Sequence, residues 1–494
     1  MKDIKVLLVY VNSMMDNLIP LNISYLTACL REKGIDVRLF DTTFYRTSDK
    51  SSDEARVEML QVKPFDLSKN GISYKAADVY EDFKKIVYEY RPHLIGFSVV
   101  EPTYLLSEKL LDSIEDIKRE SKVIFGGIFA IFAYDRIVRH RLVDMVCFGE
   151  GEKTLVEVCE HIAHKKPLRG IKNLILKEDG QIFHHPQASL VDLNCLPYLD
   201  FSLFEKERFF KPIGGKVLKM VPVEFARGCP YRCTYCANPS IAQNFKESGV
   251  WFRHKDIKRI IREIEFYLAH YNVEYFYFIH EAFLGMNKRD FDEFVSFYKD
   301  TRVPFWLNTR VETITPDRLE QLEKINCNRM SIGLESGSES LRTKLLKRNY
   351  TNDYFIKKFR MLSSYKISVS VNNIIGFPGE TREQIFETVR MNREINAESF
   401  GAYVFQPYHG TMLRTYCVKK GYISKDFIAE DAHLGSGLNM PQLSNKEING
   451  LQRTFSLYVR LPEKYYPDIR IAERFDEEGN RMFKALFEKW VKAI

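Results

Sequence analysis

Cys229, Cys233 and Cys236 stand in one short string, Ala-Arg-Gly-Cys-Pro-Tyr-Arg-Cys-Thr-Tyr-Cys-Ala-Asn-Pro, over Ala226 to Pro239. Thiolates are the usual ligands of iron–sulfur clusters, and a fully protein-caged four-iron cluster takes four of them. The Cys-x3-Cys-x2-Cys spacing supplies three, which leaves one iron of a [4Fe-4S] cluster open to a small molecule. Structural zinc wants four ligands, commonly as two close cysteine pairs. Here His254 is the nearby downstream histidine, and no second pair follows. The flanking Gly228, Pro230 and Tyr235 also set the string apart from a chance group of core thiols. Cys29, Cys147, Cys159, Cys195, Cys327 and Cys417 are scattered through apolar or helical patterns and read as core thiols, not as a disulfide framework.

The loop resembles the signature of the radical SAM enzymes. That resemblance implies that S-adenosylmethionine chelates the vacant iron through its amino and carboxylate groups. It also implies that one electron from the cluster cleaves the sulfonium and releases a 5′-deoxyadenosyl radical.

The elements ahead of the loop read as strands alternating with helices. Strands are expected at Lys5 to Val11, Val37 to Phe40, His93 to Ser98, Lys122 to Phe125 and Val143 to Cys147. Helices are expected at Leu21 to Lys33, Val79 to Tyr90 and Tyr104 to Arg119, and from about Thr154, with a less regular stretch over Thr42 to Ala76. This spacing makes a parallel sheet with helices on both faces. Ligands of such sheets bind beyond the carboxyl ends of the strands. Small residues stand there: Asn12-Ser13, Ser98, Gly126-Gly127 and Gly149. Together with Ile19 to Leu26, Ile95 to Ser98 and Gly149-Glu150-Gly151-Glu152, they resemble the cobalamin-binding class of radical SAM proteins, from Val6 to about Lys420. The resemblance implies a corrinoid between sheet and barrel, with Asn12, Ser13, Leu21, Ser98, Gly126, Gly127, Gly149 and Glu150 as its binding candidates. Asn22 stands where the family often has glycine, and Phe129 where it often has histidine. The sheet has no Asp-x-His-x-x-Gly, the string by which other cobalamin proteins ligate cobalt; Asp431-Ala-His433-Leu-Gly435 is one residue short and reads as coincidence.

Beyond the linker Gly170 to Met220, strands are expected at Val221 to Phe225, Tyr275 to Ile279, Pro304 to Leu307, Arg329 to Gly333, Val369 to Ile374 and Gly401 to Phe405. Helices lie between, such as Asp256 to Leu268. Six strand–helix repeats make a partial parallel barrel, whose active site collects at the carboxyl ends of the strands. The resemblance implies S-adenosylmethionine contacts for Tyr235, Asn308, Arg310, Ser331, Glu335, Asn373 and Gly376. A guanidinium such as Arg310 suits a carboxylate, and a buried strand-end charge is costly unless paired. Gly376, Pro378 and Gly379 also suit a plain tight turn. His280, Glu281, Gln406 and Tyr408 are the candidate catalytic or substrate residues. A histidine can exchange protons near neutral pH, and His280 serves equally well as a hydrogen-bonded support. His409 reads as a turn residue.

From Tyr422 the pattern is mainly helical, with Ile448, Leu451, Phe455 and Tyr458 at helical spacing. A last helix is expected over Glu473 to Ile494, carrying Phe475, Phe483, Leu486, Phe487 and Trp490, and a cap over the barrel mouth suits this region. The fold class is α/β: a doubly wound, Rossmann- or flavodoxin-like cobalamin-binding domain over 1–165, a linker over 166–215, a partial (β/α)6 TIM-type radical SAM barrel over 216–420 and a helical domain over 421–494.

The 494 residues suit roughly three domains. A formal charge of +7, spread without a basic block, does not call for nucleic acid. The longest apolar stretch, Val123 to Tyr134, is too short for a bilayer and is broken by Gly126-Gly127. The chain runs from Lys5 straight into a buried strand, not a signal peptide, so a cytoplasmic protein is expected. The expected activity is cobalamin-dependent radical SAM methylation of an unactivated carbon or phosphorus in a small molecule or peptide natural-product precursor. A reductant such as flavodoxin or ferredoxin would serve it. The alternatives are a ring-forming or rearranging enzyme with the same cofactors and, of another class, an electron-transfer or corrinoid-carrying protein. No second three-cysteine set precedes the loop, which speaks against thiomethylation of RNA.

Overall fold

The computed structural model describes residues 3–491, and side chains as far as 489. The end of the expected last helix and the Trp490 side chain lie outside the described residues.

The first sheet is built from β1 (Lys5–Tyr10), β2 (Asp36–Asp41), β3 (Leu94–Ser98), β4 (Lys122–Gly126), β5 (Met145–Cys147), β6 (Leu174–Glu178) and β7 (Gln181–His184). Its order is β2-β1-β3-β4-β5-β6-β7, parallel through β5. Helices cover both faces, which is why Val6 to Val9 and all of β3 are buried in near-continuous apolar runs. Winding proceeds outward in both directions from the gap between β1 and β3, the topological switch point of this order. β6 and β7 add antiparallel at the edge. The stretch expected as a linker therefore completes one sheet and, through β8 (Phe210–Ile213), begins the other.

Three local expectations shift. The helix at Tyr104 ends at Ser113, before Ile114 and Ile117. The helix expected near Thr154 begins at Gly151. Residues Ile128–Arg139, which begin within the apolar run ending at Tyr134, form a helix after β4, kinked at Ala133.

The second sheet runs β16-β15-β14-β13-β12-β9-β8, with β9 (Lys216–Glu224), β12 (Tyr275–Ile279), β13 (Phe305–Thr309), β14 (Cys327–Glu335), β15 (Ser368–Ile375) and β16 (Ser399–Val404) parallel. β8 is antiparallel to β9. Side-chain caps start the helices Lys288–Thr301, Pro316–Lys324, Asn352–Leu362 and Arg382–Ile395, through Asn287, Thr315, Thr351 and Thr381. The sheet curls without closing. The irregular stretch 42–76 covers the gap: Gln61 Nε2 donates to Ala402 O in β16 at 3.3 Å, and Asp53 pairs with Lys211 in β8 at 3.6 Å. That stretch also contains a short helix, Ser52–Glu58, started by a capping box between Ser51 and Glu54. One apolar cluster runs from the inner face of the first sheet into the barrel wall, so the two sheets share a core.

The helix Asn445–Arg460 buries Ile448, Leu451, Phe455 and Tyr458 against β16 and helix Arg382–Ile395. Gln452 reaches Ala402 O in β16, and Ile448 packs on Gly376 just beyond the end of β15. The last helix begins at Glu477, which leaves Phe475 ahead of it and 60% exposed.

Candidate active site

Phe225, following β9, is packed on the rings of Phe278, Phe283 and Phe294. The next residues, β10 (Ala226–Arg227), pair antiparallel with β11 (Arg253–His254) and close the base of the cysteine loop. Gly228 has φ 90°, and a Cβ there would stand 2.7 Å from the Trp251 ring, so only glycine fits. The Thr234 hydroxyl donates to Leu345 O at 2.6 Å, and its carbonyl accepts from Leu413 N–H at 3.2 Å.

Cys233 is buried, and Cys229 and Cys236 are half-buried. Cys233 Sγ accepts from the Arg310 guanidinium at 3.2 Å, and Cys236 Sγ from the Asn238 backbone N–H at 3.5 Å. Such donors favour thiolate charge. Burial pushes the Cys229 thiol up to about 11 and raises Cys236, with the Glu281 carboxylate adding to both. A bound metal removes such protons. Among the described residues no three His, Cys, Asp or Glu side chains are gathered for one metal ion, as a zinc centre requires. Three cysteine sulfurs, two of them carrying hydrogen-bond donors, fit a cluster whose ligands each take a different iron.

The strand ends bring some candidates together. Arg348, buried, donates to Tyr235 Oη at 3.1 Å, to Glu335 Oε1 at 3.0 Å and to Gly333 O at 2.6 Å. It thus joins the cysteine loop to β14. Sequence reasoning missed it, because nothing in Lys347-Arg348-Asn349 marks it as buried. Glu335 has φ 66°, a strained left-handed conformation for a non-glycine residue, at an irregularity in the β14–β15 register. Arg310 lies 3.8 Å over the Tyr231 ring and pairs with Glu312, so its charge is already balanced.

The other candidates are engaged within the protein. The Asn308 amide donates to Tyr277 Oη at 2.7 Å, and Ser331 Oγ accepts from the Trp306 indole at 2.8 Å. The Asn373 amide is exchanged with Asn392 and Gly401 O, which leaves only its backbone for a ligand. Gly376 has φ 77° and gives its N–H to Glu380 Oε2 at 2.6 Å.

On the substrate side, His280 departs from the acid–base expectation. Burial, with His254 beside it, holds its ring neutral by lowering its pKa to about 3. Its Nδ1 accepts from Ala282 N–H at 3.0 Å, so the histidine supports the turn after β12. Glu281 is exposed and bears on Cys229, Cys236 and Tyr277 through its charge; enclosure by the protein raises its pKa. Gln406 donates to Gly435 O and Tyr408 to Glu430 O, so both brace the 430–435 segment. His409, read as a turn residue, instead meets the first sheet: its N–H donates to Glu101 Oε2 at 2.6 Å, and its ring packs on Phe129.

Between the carboxyl edge of the first sheet and the cysteine loop lies a mostly apolar cavity of about 320 Å³, within the range of cofactor pockets. Of the residues singled out in the sequence, Leu21, Ser98, Gly126, Gly127, Gly149 and Glu150 line it. Asn12 and Ser13 do not: the Asn12 amide braces its own loop through Asp16 O and Thr43 Oγ1. Gly127 has φ 96°, and a Cβ there would meet Val99 O at 2.5 Å. On the barrel side the lining includes Glu224, Arg227 and Trp251. Arg227 pairs with Glu150 and Glu152 at 2.8 Å each and with Glu224 at 3.1 Å; Arg253 also holds Glu150. These arginines keep the Glu150 carboxyl below its ordinary pKa despite burial.

A half-closed parallel barrel that carries a three-thiolate loop, faced by a doubly wound sheet across an apolar cavity, defines a class in which a cluster and a flat cofactor adjoin. Residues 223–391 match the radical SAM superfamily, and residues 7–159 match the B12 binding domain. The chain thus carries a B12 binding domain followed by a radical SAM domain. It is 22% identical over 405 residues to the uncharacterized methyltransferase PH0819 of Pyrococcus horikoshii, covering 81% of this chain and 84% of that one. It is 24% identical over 331 residues to the anaerobic magnesium-protoporphyrin IX monomethyl ester cyclase of Rubrivivax gelatinosus, covering 64% of this chain and 57% of that enzyme. The structure of the cobalamin-dependent radical enzyme OxsB with aqua-cobalamin and S-adenosylmethionine bound shares the fold at TM-score 0.64 and 15% identity, over 99% of this chain and 71% of that one. Among the described residues no helix is long and apolar enough to cross a membrane.

Proposed function

We propose that this enzyme methylates an unactivated carbon or phosphorus of a small molecule or peptide natural-product precursor, using a [4Fe-4S] cluster, S-adenosylmethionine and cobalamin. One observation carries the reading. The residues that close the base of the cysteine loop, Arg227 and Trp251, also line the cavity at the sheet edge, so the two cofactor sites are neighbours.

Cys229, Cys233 and Cys236 hold the cluster. Tyr235, Arg310 and Glu335, with Asn308, Ser331 and the Asn373 and Gly376 backbone, border the S-adenosylmethionine site, and Arg348 fixes their relative positions. Leu21, Ser98, Gly126, Gly127, Gly149 and Glu150 border the corrinoid. When bound, these groups supply single-electron cleavage of a sulfonium and a carried methyl group. The chain's own contribution is orientation and the exclusion of water. Glu281, with no hydrogen-bond partner among the described residues, suits a substrate amine or hydroxyl. An acidic one-electron donor such as flavodoxin or ferredoxin suits the outer face of the loop, where Arg232, Lys344 and Lys347 are exposed and form no ion pair among the described residues. A reducing cytoplasmic setting follows from the open iron.

With methyl-deuterated S-adenosylmethionine and a reductant, the anaerobically reconstituted protein is expected to form 5′-deoxyadenosine, S-adenosylhomocysteine and a deuterated methyl product. The likeness to the anaerobic cyclase favours the second reading, ring formation without methyl transfer. Cleavage to 5′-deoxyadenosine with no S-adenosylhomocysteine would support that reading and overturn the first.

A further inference from the structure

We propose that Asn22 supplies an oxygen ligand to the sheet-facing side of cobalt when a corrinoid occupies the cavity. The proposal rests on the reading of that cavity as the cobalamin site.

Ligands of a doubly wound sheet centre on the switch point, here the gap between β1 and β3. Two polar side chains border the cavity at that gap. Ser98 ends β3, and Asn22 lies in the first turn of the helix Leu21–Glu32 that follows β1. The Asn22 amide spans the gap and donates from Nδ2 to Ser98 Oγ at 2.5 Å. An amide has one donor end and one acceptor end, so this bond turns Oδ1 away from Ser98. Asn22 is exposed and lines the cavity, and its Oδ1 has no partner among the described residues.

The remaining polar lining is engaged elsewhere. Glu150, Glu152 and Glu224 share Arg227, and the Trp251 indole donates to Asn238. No histidine lines the cavity among the described residues. The sheet face is otherwise apolar, formed by residues such as Leu8 and Ile124. A neutral amide oxygen is a weak donor that a cobalt ion accepts without a counter-charge. Ser98 orients it, as outer partners orient metal ligands generally.

The test is electron paramagnetic resonance of the protein loaded anaerobically with hydroxocobalamin and reduced to the cobalt(II) form. Wild type is expected to show an oxygen-ligated, five-coordinate spectrum without nitrogen splitting, unchanged in ¹⁷O-enriched water. Asn22→Leu, close in volume and on an exposed helical turn, is expected to give the wider g spread and larger cobalt splitting of an empty axial position. Ser98→Ala is expected to give a mixture of the two spectra. An unchanged Asn22→Leu spectrum, nitrogen splitting in wild type, or ¹⁷O broadening in wild type would each overturn the proposal. Wild-type protein that keeps no corrinoid through gel filtration would overturn the cobalamin reading itself, which separates the two failures.

Discussion

Along β3 every residue from Leu94 to Ser98 is buried, whereas β15 alternates half-buried and buried positions from Ser368 to Ile375. Both strands are central and parallel. They differ in what covers them: β3 has helices on both faces, while β15 has helices outside and the barrel interior inside. A sheet packed on both faces has only its ends to offer a ligand, and the first sheet meets its cavity through Ser98, Gly126 and Gly149. A curled sheet can use its inner face, where Trp306, Asn308 and Tyr277 point inward as half-buried polar or aromatic groups. Chemistry thus gathers at loops in one half and along strands in the other, and the cavity lies where the two meet.

Five substitutions would break or sharpen that contrast. Cys233→Ala should abolish the visible absorbance of the cluster and the cleavage of S-adenosylmethionine together. Retained cleavage would detach the chemistry from the barrel loop. Arg227→Met should come next, since it strands the buried Glu152 and Glu224 at the seam and leaves Glu150 to Arg253 alone. Removing one partner of a buried pair costs about 3–5 kcal/mol, readable in urea melts, and corrinoid retention on gel filtration should fall with it. A seam that withstands this change would mean the shared apolar core alone holds the sheets together.

Gly127→Ala probes the packed edge, where the added Cβ has no room beside Val99 O. A loss of about 1–3 kcal/mol is expected. Gly379→Ala, at φ 86° but with nothing within 4 Å, should show only the backbone part of that penalty. Equal losses would remove the argument that β3 and β4 leave no space.

Glu380 probes the barrel end. Burial lifts its carboxyl to about 8, against the backbone N–H groups of Gly376 and Phe377, with Glu387 adding slightly. The unfolded chain releases this proton near the ordinary carboxylate pKa, and the folded chain holds it to about 8. Between those values the folded state binds more protons, so stability falls as pH rises, by up to about 1.4 kcal/mol per pH unit from this group. Glu380→Gln should flatten that slope in denaturation curves measured across the window. A slope unchanged by the substitution would assign it to other groups.

Much of the fold was legible because its signals are local. Tyr275 to Ile279 and Val79 to Tyr90 are an apolar run and an amphipathic period that no distant contact overrides, and both fall where periodicity puts them. Boundaries drift where the stop is tertiary: nothing in Ile114-Glu-Asp-Ile117 announces that the helix has ended at Ser113. The antiparallel strands β6 and β7 were hidden in an apparent linker, since edge strands are short and half polar. In the candidate site, the cysteines and cavity glycines carry type and spacing in the string itself. Arg348 does not: it is an ordinary basic residue in a loop, and only folding surrounds it with Tyr235, Glu335 and Gly333.

Composition, spacing and period were enough to set a three-thiolate loop, a parallel sheet ahead of it and a strand–helix repeat behind it, because each is written in neighbours along the chain. Tertiary structure alone decided that the stretch 42–76 covers the barrel's open side, that His280 stays neutral, that Asn12 faces away from the cavity and that Arg227 joins the two halves. Those outcomes depend on burial and on partners tens to hundreds of residues away, and a side chain's charge state and direction are set by what surrounds it, not by its place in the string.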